Sequence, residues 1–255
     1  MTSYLIISSL VILIIVTLAW WRQNITKNAN SIDVIWSLGI GAQTVLLAAQ
    51  ADGDQLRRII IAGLASFWAL RLATHLFFDR VLSGKEDGRY ARFRREWSAA
   101  AFYGLYLLQG VLIFLLPLTF LGGLDNADAF PATMDYVAIS IWAISIIGES
   151  ISDRQLAAFR NNPANKGKTC REGLWRYSRH PNYFFEWLIW CAYIPLAIGS
   201  PYFSWSLLGP ALLLILLTKV SGIPPTETQA VESRGQDYID YQKTTSAFVP
   251  WFPKE

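Results

Sequence analysis

The 255-residue chain is 53% apolar and only 16% charged, with 11 Trp, 11 Tyr and 14 Phe. Soluble domains carry roughly 25% charged residues, so a disordered tail, a collagen-like repeat and a disulfide scaffold are all excluded. The net charge of +3 is too small for a nucleic-acid binder, which leaves a polytopic membrane protein.

About 20 apolar residues cross a bilayer as a helix, and several runs qualify. The first, Tyr4–Trp20, ends in Trp20-Trp21-Arg22, which reads as an interfacial anchor. Without a basic segment before it or a small-residue cleavage site after it, it is expected to be a span and not a cleaved signal. The second, Ile32–Ala49, opens with Asp33 and Trp36, and the third, Ile59–Phe78, carries Arg71 and His75 with Asp79 one turn on. The fourth is Ala101–Gly122. The fifth, Met134–Gly148, is the shortest and should continue as one helix through Arg160, aligning Glu149, Asp153 and Arg160 on one face. Asn182–Ile198 and Phe203–Val220 complete seven crossings. Cationic residues then number nineteen on one side and two, Arg57 and Arg58, on the other. By the positive-inside rule the N-terminus lies outside and the C-terminus in the cytosol. The expected fold is an all-α membrane bundle, a single domain without repeats.

Polar residues inside spans are costly in lipid and mark function or helix pairing. Asp33 could accept or donate to a substrate oxygen, or pair with Arg71 or Arg80 to hold helices together. The densest signal is Arg176-Tyr177-Ser178-Arg179-His180-Pro181-Asn182. Pro181 reads as the first residue of the sixth helix. Its free N–H groups, beside Arg176, Arg179 and His180, would form an anion site, with phosphate as the obvious anion. Asn182 and Glu186 follow on one face and could bind a carboxamide or a ribose. A positive-inside anchor would explain the arginines but not that pair. No dinucleotide-binding, P-loop, zinc-protease or hydrolase-elbow motif occurs, and Cys170 and Cys191 with two histidines make neither a disulfide nor a metal centre.

Arg179-His180-Pro181-Asn182-Tyr183, preceded by Gly173-Leu174-Trp175 and by Asp153 and Arg160, resembles the steroid 5α-reductase family. The bacterial branch adds D-x-x-W, matched by Asp33 and Trp36, and G-x-x-D-x-R-Y, matched by Gly84, Asp87, Arg89 and Tyr90. The resemblance implies a seven-helix enzyme that takes NADPH from the cytosol and passes hydride to an enone. Residues 1–122 would hold the lipid substrate and 134–255 the cofactor. Cofactor contacts would fall on Arg89, Asp153, Arg160, Tyr177, Asn182, Glu186 and Lys219, joined by Arg176, Arg179 and His180 from the helix start. Asp33 stands where the animal enzymes have a Glu, but their third-helix Tyr has no counterpart, since Arg71 and His75 lie there. Asp33, Arg71 and Tyr90 are therefore the expected catalytic groups, with Asp33 and Trp36 binding substrate.

The expected function is NADPH-dependent reduction of a C=C bond conjugated to a carbonyl in a steroid-like lipid. The expected setting is a monomer in the bacterial inner membrane, with its cofactor side cytoplasmic and no nucleic-acid partner. Arg-His-Pro-x-Tyr also occurs in isoprenylcysteine methyltransferases, so a methyltransferase using S-adenosylmethionine is the alternative, followed by a non-catalytic lipid-binding protein.

Overall fold

The computed structural model describes residues 2–82, 84 and 86–254, and the described residues form helices and turns without a strand. Two compact units emerge, Met1–Ala132 with Ala197–Leu208, and Thr133–Leu196 with Gly209–Glu255.

The first unit contains α1 (Thr2–Thr26), α2 (Ser31–Gln50), α3 (Gln55–Leu76), α4 (Gly88–Glu96) and α5 (Ala99–Leu115). Side-chain caps set three starts: Asp54 accepts from the Arg57 N–H at 2.9 Å, Asp87 from Arg89 at 2.9 Å and Ser98 from Ala101 at 3.2 Å. Each cap contributes about 1 kcal/mol. The last turn of α3 widens into a π turn, Phe77–Val81. At Pro117 the α-helix gives way to a tighter 3-10 turn, Leu116–Phe120, because proline lacks the N–H that would continue the ladder; α6 (Leu121–Leu124) follows. Helices α2 and α3 approach closely where Gly41 meets Ala69; a Cβ on Gly41 would lie 2.7 Å from the Ala69 Cβ. Small residues at such crossings let backbones pack in lipid. Arg57, counted above on the less basic side, is buried and donates to the carbonyls of Asn126 (3.1 Å) and Asp128 (2.7 Å).

The second unit is built on α7 (Thr133–Asn161), followed by α8 (Pro181–Cys191), α9 (Tyr193–Leu196), α10 (Leu208–Ile215), α11 (Ile223–Arg234) and α12 (Gln236–Thr244). Helix α7 runs unbroken through Arg160, as expected from the absence of a breaker after Gly148. Gly148 lets the Phe185 ring of α8 come close, and a Cβ there would sit 2.5 Å from that ring.

Six helices among the described residues are long and apolar enough to cross a membrane: Ile6–Thr26, Ser31–Gln50, Gln55–Val81, Ala99–Leu124, Thr133–Asn161 and Phe203–Arg234. Their outward apolar side chains, such as Ile7, Ile59, Leu70, Ile144 and Ile147, are exposed. Water would penalise that surface and lipid does not. The remaining expected span, 182–198, is interrupted at Ala192 between α8 and α9, and Pro195 lies in the short second piece.

Candidate functional site

In the first unit, polar groups converge on the start of α2. Asn30, wholly buried, clamps that start to the segment after α3: its amide donates to the Arg80 carbonyl at 2.8 Å and its oxygen accepts from the Asp87 N–H at 2.9 Å. Glu86 accepts from the Ala29 N–H at 2.8 Å and pairs with Arg94 at 2.5 Å, and Arg94 also bonds Gln23 of α1. The loop into α4 is thereby fastened over the α2 terminus.

Asp33 lies one turn into α2. One carboxylate oxygen accepts from Arg80 at 2.9 Å and lies 3.8 Å from Arg89; the other accepts from the Tyr90 hydroxyl. Asp87 completes the ring, 3.1 Å from Arg80 and 3.0 Å from Arg89. Two carboxylates and two guanidinium groups balance. Burial alone would raise the Asp87 carboxyl, but hydrogen bonds and charge from Arg89 and Arg80 hold it below the usual carboxylate value. Burial, reinforced by the Asp33 charge, pushes the Tyr90 phenol well above its ordinary value, so it keeps its proton.

An aromatic wall surrounds this ring. Tyr90, Phe102 and Tyr106 are buried, with Trp20, Trp36 and Phe93 packed against them. The Tyr106 hydroxyl and the indole N–H groups of Trp20 and Trp36 are buried without a hydrogen-bond partner among the described residues. Of the expected groups, Asp33, Arg89, Tyr90 and Trp36 come together here. Arg71 is half-buried, about two and a half turns before Arg80, and Arg80 and Arg89 are the cations paired with Asp33. His75 and Asp79 are exposed. Arg94, Glu86 and Asn30 escape sequence reading because each acts across a tertiary contact.

The second unit gathers its polar groups around α8. Asn182 donates to Asp153 of α7 at 3.3 Å while its oxygen accepts from the Tyr183 N–H at 3.0 Å. One turn further, Glu186 accepts from the Trp190 indole at 3.2 Å. The preceding segment docks on α7 through Trp175, which donates to the Ser152 carbonyl at 2.9 Å, and through Gln155, which accepts from the Leu174 N–H at 2.9 Å.

Arg176, Arg179 and His180, expected to form an anion site, are engaged differently from one another at the start of α8. Arg179 is paired with Glu227 at 2.6 Å and donates to the carbonyls of Gln242 (3.0 Å) and Thr245 (2.5 Å). His180 lies 3.2 Å from the same Glu227 oxygen and stacks on Tyr183. Burial lowers the His180 imidazole, aided by Arg179 and opposed by Glu227, so it is neutral near pH 7. A paired arginine and a neutral histidine leave little positive charge at the helix start. Arg176 and Lys219 are exposed, as is Arg160 at the end of α7. Tyr177 is half-buried, meets Phe252 edge-on and accepts from the Trp251 N–H through its carbonyl. Glu227, the centre of this network, carries no motif that sequence reading could use.

The uncharacterized protein C594.04c of Schizosaccharomyces pombe is 24% identical over 223 residues, covering 75% of this chain and 64% of that protein. A protein of Ustilaginoidea virens described as "Probable O-methyltransferase ustE" is 33% identical over 86 residues, 34% of this chain and 28% of that one. The chain thus spans less than two thirds of the length of these relatives. No solved structure matches it. The family described as "Protein of unknown function (DUF1295)" matches residues 19–245, and with most of its length covered the chain belongs to that family.

Proposed function

We propose that the chain is an NADPH-dependent reductase of a C=C bond conjugated to a carbonyl in a flat, lipophilic, steroid-like substrate. It crosses the bilayer seven times as a monomer, N-terminus outside and C-terminus in the cytoplasm, with 182–198 as the interrupted crossing. A bacterial inner membrane suits this arrangement. The observation that carries the reading is the Asp33–Tyr90 hydrogen bond within an aromatic wall whose buried Tyr106, Trp20 and Trp36 donors have no partner among the described residues.

NADPH, when bound, supplies the hydride. Negative charge then develops on the substrate carbonyl oxygen, and a fixed donor there lowers the barrier. Tyr90 is suited to donate because it keeps its proton. Without substrate its single O–H is given to Asp33; it turns from Asp33 to the substrate oxygen when substrate enters, while Arg80 continues to hold the carboxylate. Trp36 and Tyr106 offer further N–H and O–H groups to the substrate. In the second unit, Asp153 and Asn182 present an acceptor and a donor suited to a carboxamide or ribose, with Arg160 and Arg176 as exposed cations. These fit a dinucleotide in chemistry.

The second reading, a methyltransferase using S-adenosylmethionine, is favoured by the partial similarity to the Ustilaginoidea virens protein. Loss of reduced-nicotinamide absorbance separates the two, using detergent-purified protein, NADPH and a 3-oxo-Δ4 steroid, with product analysis. A saturated product is expected. Stabilisation by S-adenosylmethionine with no response to NADPH would replace the reductase by the methyltransferase.

A further inference from the structure

The end of α7, the loop after it and the end of α11 enclose a concavity of about 200 Å³. Arg160, Lys166, Lys168 and Arg234 line it over a floor that includes Phe159 and Cys170, and no carboxylate is among its lining residues. The loop is held in shape. Asn162 caps the Ala164 N–H at 3.0 Å, Asn165 donates to the Phe159 carbonyl at 3.0 Å, and Gly167 turns the chain at φ +78°. Arg234 rests over the Tyr238 ring, 5.6 Å from its centroid. Asp237, one turn beyond Arg234, accepts from the Thr169 N–H and pairs with Arg171, each at 2.7 Å, and also feels the Arg234 charge. The adjacent Thr169 hydroxyl is buried without a partner among the described residues.

Four cations line one small concavity, and a compact polyanion placed there is attracted to all of them at once. The volume is below the roughly 300–1,000 Å³ of drug-sized ligand sites, so it fits one charged group better than a whole dinucleotide. A phosphomonoester carries a charge of about −1.5 to −2 at pH 7 with three acceptor oxygens, a match for several convergent N–H donors.

We propose that this concavity is a phosphomonoester site, formed by Lys166, Lys168 and Arg234 together with Arg160. It goes beyond the proposed reaction and rests on that reading only for one source of ligand, the 2′-phosphate of NADPH. The other source is the headgroup of phosphatidic acid.

The test is thermal unfolding of the full chain in phosphatidylcholine nanodiscs at fixed ionic strength. One series adds 2′,5′-ADP with adenosine as control, and another replaces part of the lipid by phosphatidic acid or, as the diester control, phosphatidylglycerol. At least one monoester should raise the midpoint where its control does not. In K166Q/K168Q, changes at two exposed side chains, half-saturation should weaken by about tenfold or more. Response to 2′,5′-ADP names the nucleotide phosphate, and response to phosphatidic acid names the headgroup. Absence of both responses, or equal responses in the double variant and in the single variant R234Q, overturns the proposal. NADPH oxidation that persists without any monoester response would leave the reductase standing and this site refuted. A monoester response without coenzyme oxidation would do the reverse.

Discussion

The two polar clusters differ in what they leave unsatisfied. Around Glu227 nearly every donor has found its place: Arg179, His180, Gln242 and Tyr238 converge on one carboxylate, and the spare arginine donors close on backbone carbonyls. That is the pattern of a keystone tying the start of α8 to α11, α12 and the C-terminal tail. Around Asp33 the charges balance, yet the neighbouring Tyr106, Trp20 and Trp36 donors stay buried without partners among the described residues. Buried donors cost about 1–3 kcal/mol each when unmet, a cost that a bound ligand removes. The stronger sequence motif therefore marks the structural cluster, and the weaker one marks the better candidate for chemistry.

Removing Glu227 is the most damaging way to probe this contrast. E227A should lower stability by about 3–5 kcal/mol, because it strands a mostly buried arginine. Thermal unfolding in detergent measures this, and a loss below about 1 kcal/mol would deny the cluster its keystone role. Tyr90→Phe should instead keep the fold but lower turnover by about 10²–10³, the cost of losing one donor to a developing oxyanion. Asp33→Asn should impair turnover more than NADPH affinity. Steady-state kinetics with NADPH titration check both, and unchanged turnover in Y90F would remove the phenol from the mechanism.

Smaller effects are expected in the second unit. Asn182→Ala and Arg160→Ala should each raise the KM for NADPH by about tenfold, equivalent to one lost charge-assisted or amide hydrogen bond, with unfolding temperatures close to wild type. Normal affinity in both would move the cofactor contacts elsewhere. The smallest effect is a pH dependence. Because burial lowers the folded-state imidazole of His180, the unfolded chain takes up the proton first as pH falls below about 6.5. The contribution of His180 is thus complete above that value and is lost on acidification. Unfolding midpoints between pH 7.5 and 5.5 should fall less steeply in His180→Gln, and identical slopes would contradict a neutral buried imidazole.

Hydropathy and helix signals were readable along the chain because they depend on neighbours a few residues apart. The long apolar helices, the continuation of α7 through Arg160 and Pro181 at the first position of α8 all follow from such local rules. So does the placing of Asp33 and Trp36 one turn apart on α2. Which cation serves Asp33 was not readable, since Arg71 and Arg80 lie on the same helix and its π turn, and only the packed chain brings Arg80 to 2.9 Å. Nor was the fate of Arg179, whose partner Glu227 lies 48 residues away. Lipid solubility and helix length are properties of segments and are written in composition. The pairing of charges depends on distances of a few ångströms between remote segments, because Coulomb and hydrogen-bond energies fall steeply with separation and exposure. Tertiary packing alone decides those distances.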